Sequence, residues 1–135
     1  HCRWIYKMGS HCFQIRTWTS KNAPQVNLDF EVLEGGAVKL IISHDFDPMN
    51  RWSVTAVDQK GAFRAVPGSG SMVDQHFPGA QFRIFLQGDL STVRRINQNI
   101  LFSGTQPPGD DLFVIATGDT TSFGISFLAE LCGAE

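Results

Sequence analysis

A chain of 135 residues, 42% hydrophobic and 18% charged, has the size and balance of one globular domain. It is long enough to bury roughly two-thirds of the surface of its unfolded form, with no need of a metal or a dense set of disulfides. A formal net charge of −2 gives no electrostatic basis for a nucleic-acid or anionic-membrane partner, and no run approaches the ~18 apolar residues that a membrane helix requires.

The N-terminal stretch HCRWIYKMGSHC lacks the charged-then-apolar layout of a signal peptide. The start at His1 rather than Met reads as a domain excised from a longer protein, residues 1–12 forming an N-terminal segment of a single domain 1–135. Cys2, Cys12 and Cys132 lie near the two ends and form no C-x-x-C pair, which argues against zinc. The ends of a β-sandwich often lie side by side, so Cys12 and Cys132 are a candidate disulfide; a Cys2–Cys12 loop and free buried thiols are the alternatives. Either bridge would place the protein in an oxidising, secretory compartment.

Along the chain, short alternating or continuous β-favouring runs recur between turn residues, and helix signals are scarce. In 13–18, Phe13, Ile15 and Thr17 alternate with Gln14 and Arg16. In QVNLDFEVL, Val26, Leu28, Phe30 and Val32 alternate with Asn27, Asp29 and Glu31, the pattern of a half-buried strand. Gly35-Gly36 predicts a tight reversal before a strand over 37–43. Residues 51–57 follow with Trp52, Val54 and Ala56 on one face, then the turn DQKG and a strand AFRAV ending at Pro67. PGSGSM has the composition of a flexible loop. QFRIFLQGDL puts Phe82, Ile84 and Leu86 on one side and turns at Gly88-Asp89, before strands at 91–96 and 99–104. LFVIATGD and TSFGISFLAEL read as a closing hairpin turning at Gly118-Asp119. A helix has support only around 89–97. About ten short strands make an all-β, two-sheet sandwich.

Catalytic signatures are missing from the sequence: it contains no G-x-S-x-G, no H-E-x-x-H and no G-x-x-x-x-G-K. His1, His11, His44 and His76 are dispersed, and neither a metal nor another cofactor is expected. The loop DFDPMN alternates Asp45 and Asp47 as a calcium loop does, but Met49 stands where a third oxygen is wanted and Ala56 where the bidentate carboxylate belongs.

The order AVKLIISHDFDPMN, HFPGAQFRIFL, LFVIATGDTTSFGISFL resembles galectin-like domains, whose pattern runs H-F-N-P-R, F-x-x-G-x-x-F-x-I, L-x-I-x-G-D. The resemblance covers roughly residues 13–128 and implies a jelly-roll sandwich of two antiparallel sheets. Aligning Phe46 and Pro48 with the Phe and Pro of that pattern puts Asp45 at the sugar-binding His, Asp47 at the Asn and Met49 at the Arg. Phe63 takes the place of the stacking Trp. A register that gives His44 the His position leaves Phe46 at the Asn and Asp47 at the Pro, a poorer fit. Carboxylates and a thioether cannot supply the lost donors, so Asp45, Asp47, Met49 and Phe63 are expected to mark a degenerate lectin site without galactoside binding.

Galectin-like domains that lack the sugar residues are similar to the C-terminal modules of secreted microneme adhesins. That likeness implies a non-enzymatic, protein-binding module, secreted to a parasite surface, that grips and helps fold an EGF-like domain of a transmembrane escort during host-cell attachment. Phe46, Met49 and Trp52, in or beside the opening loop, are the candidate anchors for such a partner. A galectin-like lectin with an unusual carbohydrate site is the alternative, and an enzyme the third reading.

Overall fold

The structure, a computed structural model, describes residues 1–46, 48–57, 61–97 and 112–131. Ten strands are assigned in chain order: β1 (Cys2–Met8), β2 (His11–Thr19), β3 (Gln25–Glu34), β4 (Ile41–His44), β5 (Ser53–Ala56), β6 (Ala62–Val66), β7 (Gln81–Gly88), β8 (Arg94–Arg95), β9 (Phe113–Ala116) and β10 (Ser122–Glu130). One helix, α1 (Met72–His76), and a 3₁₀ turn at Pro48–Asn50 complete the described elements. The expected all-β, two-sheet antiparallel sandwich is what forms. A seven-stranded sheet runs β1-β2-β3-β10-β7-β6-β5 and a three-stranded sheet runs β4-β9-β8, every pair antiparallel.

Residues paired across a ladder share a face of the sheet, so the registers extend the sequence alternation from strand to strand. Trp4 lies opposite Ile15, Ile15 opposite Phe30, and Phe30 opposite Phe123. A second row joins Val26 to Phe127, Phe127 to Ile84, Ile84 to Phe63 and Phe63 to Ala56. These rows form the inner face, and they are almost wholly apolar. Rows between them carry Arg16, Asp29 and Gln87, or Asn27 and Ser126, on the outer face.

The core lies between the small sheet and only part of the large one. Its buried cluster is Ala65, Ile84, Leu86, Phe113, Ile115, Phe123 and Ile125, from β6, β7, β9 and β10. β9 is buried along its whole length, as a continuous apolar run at the centre of a sheet requires. Each fully buried large side chain here contributes about 1.5–3 kcal/mol. No described residue of β1 or β2 belongs to this cluster or packs against it. β1 is exposed throughout. Among the described residues, the seven-stranded sheet therefore overhangs its partner.

Several local expectations change. Gly118-Asp119 does not close a hairpin, because β9 pairs with β4 and β8 whereas β10 pairs with β3 and β7; the turn carries the chain from one sheet to the other. Gly35-Gly36 and Gly88-Asp89 mark similar crossings. The strand expected over 91–96 is shortened to the two-residue β8 and no helix forms around 89–97; before β8 the chain turns, the Asp89 carboxylate accepting from the Ser91 amide at 3.1 Å and hydroxyl at 2.6 Å. The short helix is instead α1, directly after the supposed flexible loop. Ser71 caps it, accepting from the Asp74 amide at 3.4 Å, and Asp74 accepts from the Gly70 amide at 2.8 Å. The strand expected over 99–104 and the first three residues of the turn DQKG, 58–60, lie outside the described residues. Among those described, no helix is long and apolar enough to cross a membrane.

The β1–β2 ladder excludes a Cys2–Cys12 bridge. Cys2 pairs with Thr17 and Cys12 with Lys7, five residues apart along the strands, or about 17 Å, and on opposite faces. Both thiols are free. Cys132 lies outside the described residues, and the Cys12–Cys132 bridge with it.

Candidate functional site: an apolar cleft beside the opening loop

The loop that follows β4 is a tied structure. Pro48–Asn50 form a 3₁₀ turn, Arg51 takes a left-handed conformation (φ 48°), and Asn50 is buried. The Asn50 carbonyl accepts from the Gly68 amide at 2.7 Å and its side-chain oxygen from the Val73 amide at 3.0 Å; the Arg51 guanidinium donates to the Ser69 carbonyl at 2.8 Å. The glycine- and serine-rich stretch is thereby fastened to the opening loop, which composition alone does not show.

This anchoring turns His44, Phe46 and Trp52 inward. His44 sits edge-on to Phe46 at 4.5 Å and over Phe127 at 4.6 Å. Phe46 meets Trp52 at 5.7 Å, and Trp52 meets Phe82 at 5.1 Å. Where the small sheet ends at β4, the rings border a cleft of about 350 Å³ lined by Thr17, Val26, Leu28, His44, Phe46, Phe82 and Phe127. The cleft opens onto the overhanging inner face of β1 and β2. There Phe13 stacks between His11 at 5.6 Å and Phe30 at 5.5 Å, while Trp4, Tyr6 and Met8 stand 43%, 52% and 69% exposed. Burial among the rings pushes the His44 pKa below the ordinary 6.5, against the opposing pull of the Asp45 carboxylate. The imidazole faces apolar walls, so the cleft suits shape and hydrophobic contact better than proton transfer.

The residues expected from the sequence separate in space. Phe46 and Trp52 are half-buried and pack against the core; Phe46 also lines the cleft, and Trp52 stands behind it against Phe46 and Phe82. Met49 is 80% exposed on the loop's outer surface. Asp45 is exposed, and Asp47 lies outside the described residues. Phe63 is partly buried on β6, its ring edge-on against Phe113 at 5.1 Å and packed against the core. The residues the sequence reading missed are Thr17, Val26, Leu28, Phe82 and Phe127. Alternation placed Val26, Leu28 and Phe82 on inward faces, but nothing local says which inward face lacks a cover. No group of three or more His, Cys, Asp or Glu side chains suited to a metal occurs among the described residues.

A comparison with curated proteins gives no match. The family model described as a glycoside phosphorylase supersandwich domain matches residues 1–129. With the match covering all of the described strands but the last residue of β10, the chain belongs to the glycoside phosphorylase supersandwich domain family.

Proposed function

We propose that the chain is a non-catalytic module of a glycoside phosphorylase, and that its uncovered inner face seats a neighbouring domain of that enzyme. The observation that carries this reading is the mismatch, among the described strands, between a seven-stranded sheet and its three-stranded cover, beside which apolar side chains of β1, β2 and β3 are exposed next to an apolar cleft. Contiguous exposed apolar surface of this kind marks an interaction site. The family description supplies the occupant, since a domain of a larger enzyme has other parts of that enzyme as its nearest partners. This keeps the protein-binding role expected from the sequence. The EGF-like escort and the microneme compartment rest on the galectin resemblance alone and are a separate proposal about the partner.

The test is association of the chain with the remaining domains of the enzyme, measured by calorimetry. Trp4→Lys and Tyr6→Lys are expected to weaken it by tenfold or more, about 1.4 kcal/mol, while leaving the melting temperature of the chain unchanged. Equal binding by both variants removes the docking role. Phosphorolysis of a glycoside by the isolated chain, with release of a sugar 1-phosphate, removes the non-catalytic one.

A further inference from the structure

The outer face of the large sheet, opposite the docking surface, carries a second depression. One register row crosses β2, β3, β10 and β7 as Arg16, Asp29, Gly124 and Gln87, and the adjacent row sets Glu31 opposite Ser122. Gly124 interrupts the row of side chains, leaving a gap between Asp29 and Gln87 two strands wide, about 10 Å between backbones. An added Cβ at Gly124 would lie 3.1 Å from the Gln87 side-chain oxygen, so the Gln87 side chain leans over Gly124 from one side of this gap and glycine leaves it the room to do so. Gly88 borders the same gap with φ 124°, a conformation that favours glycine, and a Cβ there would meet the Ser122 carbonyl at 3.2 Å. The depression holds about 280 Å³, near the lower end of the ~300–1,000 Å³ range of small-molecule sites.

Its walls are held in place. The Arg16 guanidinium grips the Asp29 carboxylate through two N–H groups, one at 3.0 Å, and lies 5.7 Å over the Trp18 ring. Two of its five donors are spent and three are left. Asp29 and Glu31 accept, while the Gln87 amide and Ser122 hydroxyl both donate and accept. The Gln87 amide is not engaged by any other described side chain. Two carboxylates against one guanidinium disfavour an anion, so phosphate does not suit the site. A neutral polyhydroxylated ring does, because each of its hydroxyls both gives and takes a hydrogen bond and planar fixed groups can select among them.

We propose that this depression is a subsite for a neutral sugar ring, with Asp29, Glu31 and Gln87 reading hydroxyls and Gly124 giving the Gln87 side chain room to lie over β10. The site is independent of the inner-face docking role, and either can fail without the other. Amide-resolved NMR titration of the chain with glucose, cellobiose and lactose, and separately with inorganic phosphate, tests it. Millimolar sugar binding is expected, with shifts centred on Asp29, Glu31, Gln87, Ser122 and Gly124. Gln87→Ala and Gly124→Ala are each expected to weaken it about tenfold with melting unchanged, and Trp4→Lys to leave it intact. The proposal is overturned by an absence of sugar-dependent shifts, by shifts centred on Asp45 and Met49 instead, by phosphate perturbing the same amides, or by full binding in Gln87→Ala.

Discussion

Two side chains show how burial is used in this sandwich. His44 is half-buried among Phe46 and Phe127, and its pKa is lowered by desolvation. Its folded-state pKa lies below the unfolded value, so the unfolded chain binds the proton more tightly. Stability that depends on the neutral ring is complete above about pH 6.5 and is lost as the pH falls through the lowered folded value. Thermal melts from neutral to acidic pH should show this decline, and His44→Phe should remove that part of the slope. Phe113 is 2% exposed, packs edge-on to Phe63, and lies under the Arg95 guanidinium at 5.5 Å. Phe113→Ala should cost about 3–5 kcal/mol in urea unfolding, the usual range for a buried ring. Linear alignment of motifs puts Phe63 at a lectin platform position; the ring it packs against, Phe113, is fifty positions away and is reached only through the stacking of two sheets.

The elements are joined by a polar link on the outer face as well as by the core. Asn27, 5% exposed on β3, donates to the Trp18 carbonyl at 3.4 Å and the Ser20 hydroxyl at 3.1 Å, and accepts from Gln25 at 2.7 Å and from the buried Ser126 hydroxyl on β10 at 2.7 Å. This one amide ties together β2, β3 and β10. Asn27→Ala should lose about 1–3 kcal/mol because it strands buried donors and acceptors. The cost of Asn27→Ala with Ser126→Ala should be less than the sum of the single changes, and a double-mutant cycle measures the difference. Strand identity was legible in sequence wherever alternation was strong, as in β3 and β7. The order of pairing was not: Gly118-Asp119 satisfies the local chemistry of a hairpin, yet non-local burial of β9 between β4 and β8 decides the topology. The helix α1 had a faint local mark in Ser71 and Asp74, an N-cap and the residue three places on, which the glycines before it concealed.

For the molecule as a whole, the uneven partition of strands concentrates stability at one end. The core cluster draws on β6, β7, β9 and β10, and β1 lies outside it. Deleting residues 1–9 should therefore leave a cooperative unfolding transition with a melting temperature close to that of the intact chain; loss of the transition would show that β1 contributes to the core. The sequence disclosed the fold class and the alternating faces, since both follow from local periodicity. It did not disclose the overhang or the cleft, since these depend on how many strands each sheet takes, a quantity written in no single segment.

The position of β1 at the end of the seven-stranded order has one more consequence. Its outer flank carries a line of main-chain N–H and C=O groups with no neighbouring strand among those described, a template on which a like strand can add. Ile5 beside that flank is 54% exposed, and within β1 only Arg3 and Lys7 place charge on the same face. At high concentration the isolated polypeptide is thus expected to grow into edge-to-edge aggregates, slowed by low ionic strength, where the two cations repel their counterparts most strongly.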